Sequence, residues 1–222
     1  MSLRNLRRKA FPTSALALLS LLAFSVPTPA QQETPPPPSA PRSPVLPKPV
    51  ERTLKNGLRV IVVERRASPL VTARLVIKNG AEVDPPHLPG LANMTASLLN
   101  KGTKTRTAPQ IAEEVEALGG SLDAAAQWDY SVSVVTVISS KIDQAADILG
   151  DVVRNPSFKE EEIERDRQQT LDDLRVALGQ PGAVARYVAS RVLFGETPYG
   201  HPLPGTLESL ERIKRDDIVK LH

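Results

Sequence analysis

Apolar and polar positions alternate with a period of two in three stretches of this chain. Leu58 to Glu64 (LRVIVVE) and Leu70 to Lys78 (LVTARLVIK) are rich in β-branched residues, and a polar turn at Ser68-Pro69 separates them. Asp129 to Ile138 (DYSVSVVTVI) is a third strand, and Ser121 to Gln127 before it is a fourth candidate whose alanines leave propensity undecided. Elsewhere the period becomes helical. Ile111, Val115 and Leu118 follow a Thr107 cap and stop at Gly119-Gly120. Ile142, Ala145, Leu149 and Val152 mark a helix ending before Pro156, and Ile163, Thr170, Leu171, Leu174 and Leu178 a long one ending at Gly179 and Pro181. Further helices are expected over Ala183 to Leu193 and Asp216 to Leu221. The order β-β-α-α-β-β-α-α predicts an α+β domain, a largely antiparallel sheet with helices packed on one face. No repeat at solenoid spacing interrupts it.

The first 49 residues obey different rules. Arg4, Arg7, Arg8 and Lys9 precede thirteen residues, Ser14 to Val26, that carry no charge, and Thr28-Pro29-Ala30 follows. That arrangement reads as a cleavable secretory signal over residues 1–30, cut after Ala30. It is too short to span a bilayer, which takes about 20 apolar residues. Residues 31–49 form a Pro-rich linker with Pro35-Pro36-Pro37-Pro38 at its centre, suited to extended polyproline II. Residues 50–222 then form one globular domain.

Removing the leader changes the charge balance. The full chain carries 28 basic and 25 acidic residues, a net +3, but four of the basic ones lie in the leader. The remainder has 24 basic against 25 acidic residues, so nothing points to nucleic acid. The chain has no cysteine, which excludes disulfides, a lipid-modified cysteine and a thiol nucleophile. A periplasmic or secreted protein without a stable membrane anchor is the expectation.

One helix carries the candidate chemistry. In GLANMTASLLNKGT, from Gly90 to Thr103, Leu91, Met94, Leu98 and Leu99 make an apolar stripe. Asn93, Ala96, Ser97 and Asn100 stand at i, i+3, i+4 and i+7 and share a second face. The segment resembles GLAHFLEHMLFKGT of the pitrilysin/insulinase family of metallopeptidases, in which two histidines and a glutamate form an inverted zinc motif, His-x-x-Glu-His. Those three positions read Asn93, Ala96 and Ser97 here. Further segments resemble the same family in the same order: LKNGLRVIVV from Leu54, KNGAEV from Lys78, GGSLDAAAQWDY from Gly119, ERDRQQTLDDLR from Glu164 and YGHPLPGT from Tyr199.

The resemblance implies the first homologous domain of a clamshell whose second half lies beyond His222. It also implies a third-ligand position at Asp173, with Asp166 seven residues earlier on the same helix face. The residues do not support the family's chemistry. Zinc prefers nitrogen and sulfur, so the amide of Asn93 and the hydroxyl of Ser97 are poor ligands, and Ala96 offers no base. Without a metal to lower its pKa from about 15.7 to about 7, water is a weak nucleophile. His87, His201 and His222 show no ligand spacing, and no serine lies in a Gly-x-Ser-x-Gly context.

The expectation is therefore a non-catalytic subunit with no metal or cofactor of its own. The resemblance implies a heterodimer with a homologous His-x-x-Glu-His subunit that holds the zinc. It also implies an unfolded peptide added as a strand along Asp123, Ala124, Ala125 and Ala126. A stand-alone peptide-binding or chaperone-like module, and a metalloendopeptidase with a metal site rebuilt around Asp173, are the alternatives.

Overall fold

The computed structural model describes residues 47–222. The leader expected over residues 1–30, and the linker as far as residue 46, lie outside the described residues. Residues Pro49–His222 form one compact unit.

Among the described residues five strands make two antiparallel sheets. β1 (Val50–Thr53) and β2 (Arg59–Val62) form a hairpin, with Arg52 opposite Val60. β3 (Leu70–Ile77), β4 (Ser121–Ala126) and β5 (Ser131–Ile138) form a second sheet in the order β3-β5-β4. Within it Val135 of β5 stands between Ala73 of β3 and Leu122 of β4. Val135, Val137 and Ser133 are buried on one face, while the other bears the exposed Thr72, which shares a 3.0 Å hydrogen bond with Thr136. That asymmetry is the predicted one-sided burial of an antiparallel sheet.

Among the described residues seven α-helices accompany the strands: α1 (Leu91–Ser97), α2 (Ala108–Ala117), α3 (Ile142–Arg154), α4 (Glu160–Leu178), α5 (Pro181–Phe194), α6 (Leu207–Arg212) and α7 (Arg215–Leu221). α2 begins at a capping box in which Thr107 Oγ1 accepts from the Gln110 backbone and the Gln110 side chain accepts from the Thr107 N–H. It ends at Gly119, whose φ of 66° places it in the left-handed region. α3 turns Ala145 and Leu149 onto Val135 and Val137 of the sheet. α4 buries only Ile163, Leu171 and Leu174, and its outer faces carry the pairs Glu162–Arg165, Glu164–Arg167 and Asp172–Arg175. Arg167 also reaches α6, donating to the carbonyl oxygens of Leu210 and Ile213. The main core gathers Leu91, Met94, Leu98 and Leu99 with Phe158, Ile163, Leu171, Leu174, Leu210, Ile213 and Ile218.

Two elements exceed the sequence reading. β1 was not foreseen, because Val-Glu-Arg-Thr is short and fully exposed. α6 was not foreseen because it is six residues long and has Ser209, not an acidic residue, closing its capping box with Thr206. The helix expected from Leu91 to Asn100 is α-helical to Ser97 and tightens to a 3₁₀ turn over Leu98–Asn100.

Candidate functional site

The position of α1 is set from outside the helix. The Asp84 carboxylate accepts the Gly90 N–H at 2.7 Å and the Ala92 N–H at 2.8 Å, satisfying first-turn donors that no intrahelical carbonyl can reach. Gly90 has φ 93°, and a Cβ there would lie 2.4 Å from the Pro204 carbonyl oxygen. The loop before α6 therefore packs directly on the backbone at the start of α1. Asp84 is 7 % exposed. Burial raises its pKa to about 6, against the opposing pull of the Ala92 and Gly90 amides and of nearby His201.

The face that would bear a zinc motif is closed. Ala96 is 3 % exposed and packs with Ala92, with Ala126 of β4 and with Leu221 of α7. Ser97 Oγ lies 2.9 Å from both carboxylate oxygens of Asp166 and 2.9 Å from the Met94 carbonyl oxygen, so its single proton is shared among them. Burial pushes the Asp166 carboxyl above its ordinary pKa, opposed by the Ser97 hydrogen bond and the charge of Lys101. Asn93 is half-buried, and its side chain makes no hydrogen bond among the described residues. Asn100 Oδ1 is buried without a donor, on the wall of a cleft of about 320 Å³ between α2 and the start of β4.

The acid facing Ser97 is thus Asp166. Asp173 is exposed and accepts from Gln169 Nε2 at 3.0 Å, two turns or roughly 10 Å farther along α4. The donor set does not fit a zinc ion. It offers an amide, a methyl group and a hydroxyl already committed to a carboxylate, and zinc binds imidazole, thiolate and carboxylate. Among the described residues no three His, Cys, Asp or Glu side chains are placed to hold a metal. Nor do the histidines converge. His201 hydrogen-bonds through Nδ1 to the Pro202 carbonyl at 2.9 Å, His222 through Nε2 to that of Val153 at 2.8 Å, and His87 is exposed.

The strand marked for peptide contact divides between two faces. Ala124 and Ala126 turn inward, Ala126 to 1 % exposure, while Asp123 and Ala125 point away from the helices. β4 is the outermost strand of its sheet, and no other strand among the described residues pairs with its outer edge. What that edge presents is backbone.

These landmarks match one family over most of the domain. The profile of the family described as Insulinase (Peptidase family M16) covers residues 59–207. The chain belongs to that family.

Among M16 relatives, an uncharacterized zinc protease of Rickettsia bellii is 33 % identical over 167 residues, 75 % of this chain and 40 % of its own length. A probable mitochondrial-processing peptidase subunit beta of Arabidopsis thaliana is 30 % identical over 173 residues, 77 % of this chain and 33 % of its own. The chain therefore spans between a third and two fifths of these relatives. Among solved structures, a peptidase M16 inactive domain from Pseudomonas fluorescens superposes with a TM-score of 0.74 at 27 % identity, covering 78 % of this chain and 42 % of that one. Pitrilysin itself, at 22 % identity and TM-score 0.68, shares the fold.

Two polar centres of this M16 domain escaped the sequence reading. Asp84 stands six residues before Gly90, too far for the usual N-cap spacing; only the acidic residue ahead of Pro85-Pro86 could have drawn notice. The second is Asp151. Burial works to raise its pKa, but hydrogen bonds outweigh that and hold it at about 2: Asn155 at 2.9 Å, Thr103 at 2.8 Å, Arg106 at 2.6 Å and Thr105 at 3.2 Å. The network ties the loop after α1 to α3, so both ends of α1 are anchored by buried carboxylates.

Proposed function

We propose that this chain is the non-catalytic, exported member of a pitrilysin-type pair. In this reading it binds unfolded peptide along the outer edge of β4 and supports a homologous subunit that carries His-x-x-Glu-His and the zinc. The observation that carries the proposal is the closed face of α1. Ala96 is sealed against Ala126, and Ser97 is committed to Asp166, where a working enzyme would need a base and two imidazoles. The similarity to an inactive M16 domain supports it. An edge of β4 that no other strand among the described residues pairs with supports the peptide role, because main-chain hydrogen bonds give affinity with little sequence preference. The leader at residues 1–30 supports export.

The test compares the chain alone with the chain mixed with a His-x-x-Glu-His homologue from the same source. Metal analysis and hydrolysis of an unfolded peptide are read for each. The chain alone is expected to carry no stoichiometric zinc and to hydrolyse nothing. The mixture is expected to form a complex whose hydrolysis exceeds that of the homologue alone and is lost on chelation. Stoichiometric zinc in the lone chain, with chelator-sensitive hydrolysis, would overturn the proposal. Peptide binding that no homologue alters would favour a stand-alone peptide-binding module.

A further inference from the structure

The described residues contain two Asn-Gly pairs, and the fold treats them in opposite ways. Asn56-Gly57 forms the turn of the β1–β2 hairpin. Gly57 has φ 86° and nothing within 4 Å of where a Cβ would stand, and both residues are exposed. Asn56 Oδ1 accepts the Leu58 N–H at 3.2 Å, which folds the carboxamide back over the peptide that follows it. The Gly57 N–H is held only by the turn itself, through Leu54 O at 2.9 Å.

Asn79-Gly80 is locked. The Gly80 N–H donates to the Glu82 carboxylate at 2.7 Å. The Asn79 carbonyl oxygen accepts from Ser131 Oγ at 2.9 Å. Gly80 is buried beneath the turn joining β4 to β5, where a Cβ would lie 2.2 Å from Gln127 O and 2.6 Å from Trp128 O.

We propose that Asn56 is a site of spontaneous deamidation in the folded protein and that the fold protects Asn79. The Gly57 nitrogen, its proton taken by solvent base, attacks Asn56 Cγ. The N–Cγ bond forms, the Cγ–Nδ2 bond breaks and Nδ2 leaves as ammonia, closing a succinimide. Water then adds to either ring carbonyl and opens it to aspartate or isoaspartate. The Leu58 N–H points at Oδ1, where negative charge gathers as Cγ becomes tetrahedral, so the turn stabilises the intermediate. Glycine at 57 removes the side chain that would hinder both the attack and the backbone rotation it needs. At Asn79 the same attack must first break a charge-assisted hydrogen bond and lift the backbone out of its packing. Isoaspartate adds a methylene to the main chain and a charge to the turn, which breaks the 2.8 Å closing bond from Leu54 N–H to Leu58 O and frays the hairpin.

The experiment incubates the full chain under mildly alkaline conditions, folded and in urea, and follows both sites by mass after cleavage at glutamate. Cuts after Glu51, Glu64 and Glu82 put Asn56 and Asn79 in separate fragments. In the folded chain Asn56 is expected to convert at least about tenfold faster than Asn79, the factor set by keeping the part-buried, charge-assisted Gly80–Glu82 hydrogen bond closed. In urea the two rates are expected to converge. Gly57→Ala is expected to slow conversion at Asn56 and leave Asn79 unchanged. Equal rates in the folded chain, or a rate ratio that urea does not alter, would overturn the proposal.

Discussion

Replacing Asp84 by asparagine isolates a carboxylate whose burial works against the fold at neutral pH. Its pKa is raised from 3.8 to about 6, so between those values the folded chain holds a proton that the unfolded chain releases. A group with a raised folded pKa contributes stability that is complete below the unfolded value and is lost as pH rises through the folded one. Two units at about 1.4 kcal/mol each make the wild type about 3 kcal/mol more stable near pH 3 than near pH 7.5 on this group's account. Asp166, also raised by burial, adds in the same direction. Asp151 acts oppositely: lowered to about 2, it contributes stability above 3.8 that is lost as pH falls through 2. The assay is urea unfolding followed by the fluorescence of Trp128, the single tryptophan, at several pH values for wild type and Asp84→Asn. Asparagine leaves one N–H of α1 facing an amide donor, so the variant is weaker in acid, but its pH dependence should flatten by about 3 kcal/mol. If wild type and variant lose stability in parallel as pH rises, the reasoning about Asp84 is wrong.

Three other outcomes follow from the same contacts. Ala96→Glu should destabilise the domain by about 3 kcal/mol or more, combining overpacking with an unpaired buried carboxylate, and chemical denaturation measures it. The same variant should gain no zinc in a chelator competition. Ser97→Ala removes the hydroxyl that solvates Asp166 and should cost about 1–2 kcal/mol near neutral pH and less in acid, where that carboxyl is protonated. Arg106→Met strips Asp151 of its cationic partner and should cost about 2 kcal/mol near neutral pH, with the loss shrinking as the solution is taken below pH 3.

The helices were legible because their apolar spacing is set by burial on a single face. Ile111 and Val115 lie buried where the stripe put them, and Leu91, Met94, Leu98 and Leu99 reach the core together. β4 was a strand candidate that propensity left undecided, and its resemblance to a family segment strengthened it. Its alanines are not strand formers, and the inward ones are held by packing: Ala126 joins Ala92 and Ala96 of α1, and Ala124 packs against the main core. What the sequence could not display was which acid meets which partner. The family spacing marks Asp173 as a ligand position, but that Asp166 hydrogen-bonds Ser97 depends on where the axes of α1 and α4 approach, which spacing along the chain does not display. Asp84 and Asp151 were invisible for a related reason: Asp84 meets backbone amides, and three of the partners of Asp151 lie more than forty positions away. The two sheets could not be told apart either, as β2 and β3 carry similar β-branched runs.

The alanine seam between α1 and β4 bears on how such a chain can evolve. With Ala92, Ala96 and Ala126 gathered in one buried cluster, a longer side chain at position 96 must displace its neighbours. Under the proposed non-catalytic role, adding a zinc motif one residue at a time would pass through intermediates that are less stable and gain no activity. Selection would have no reason to hold them, and the alanine seam would act as a ratchet.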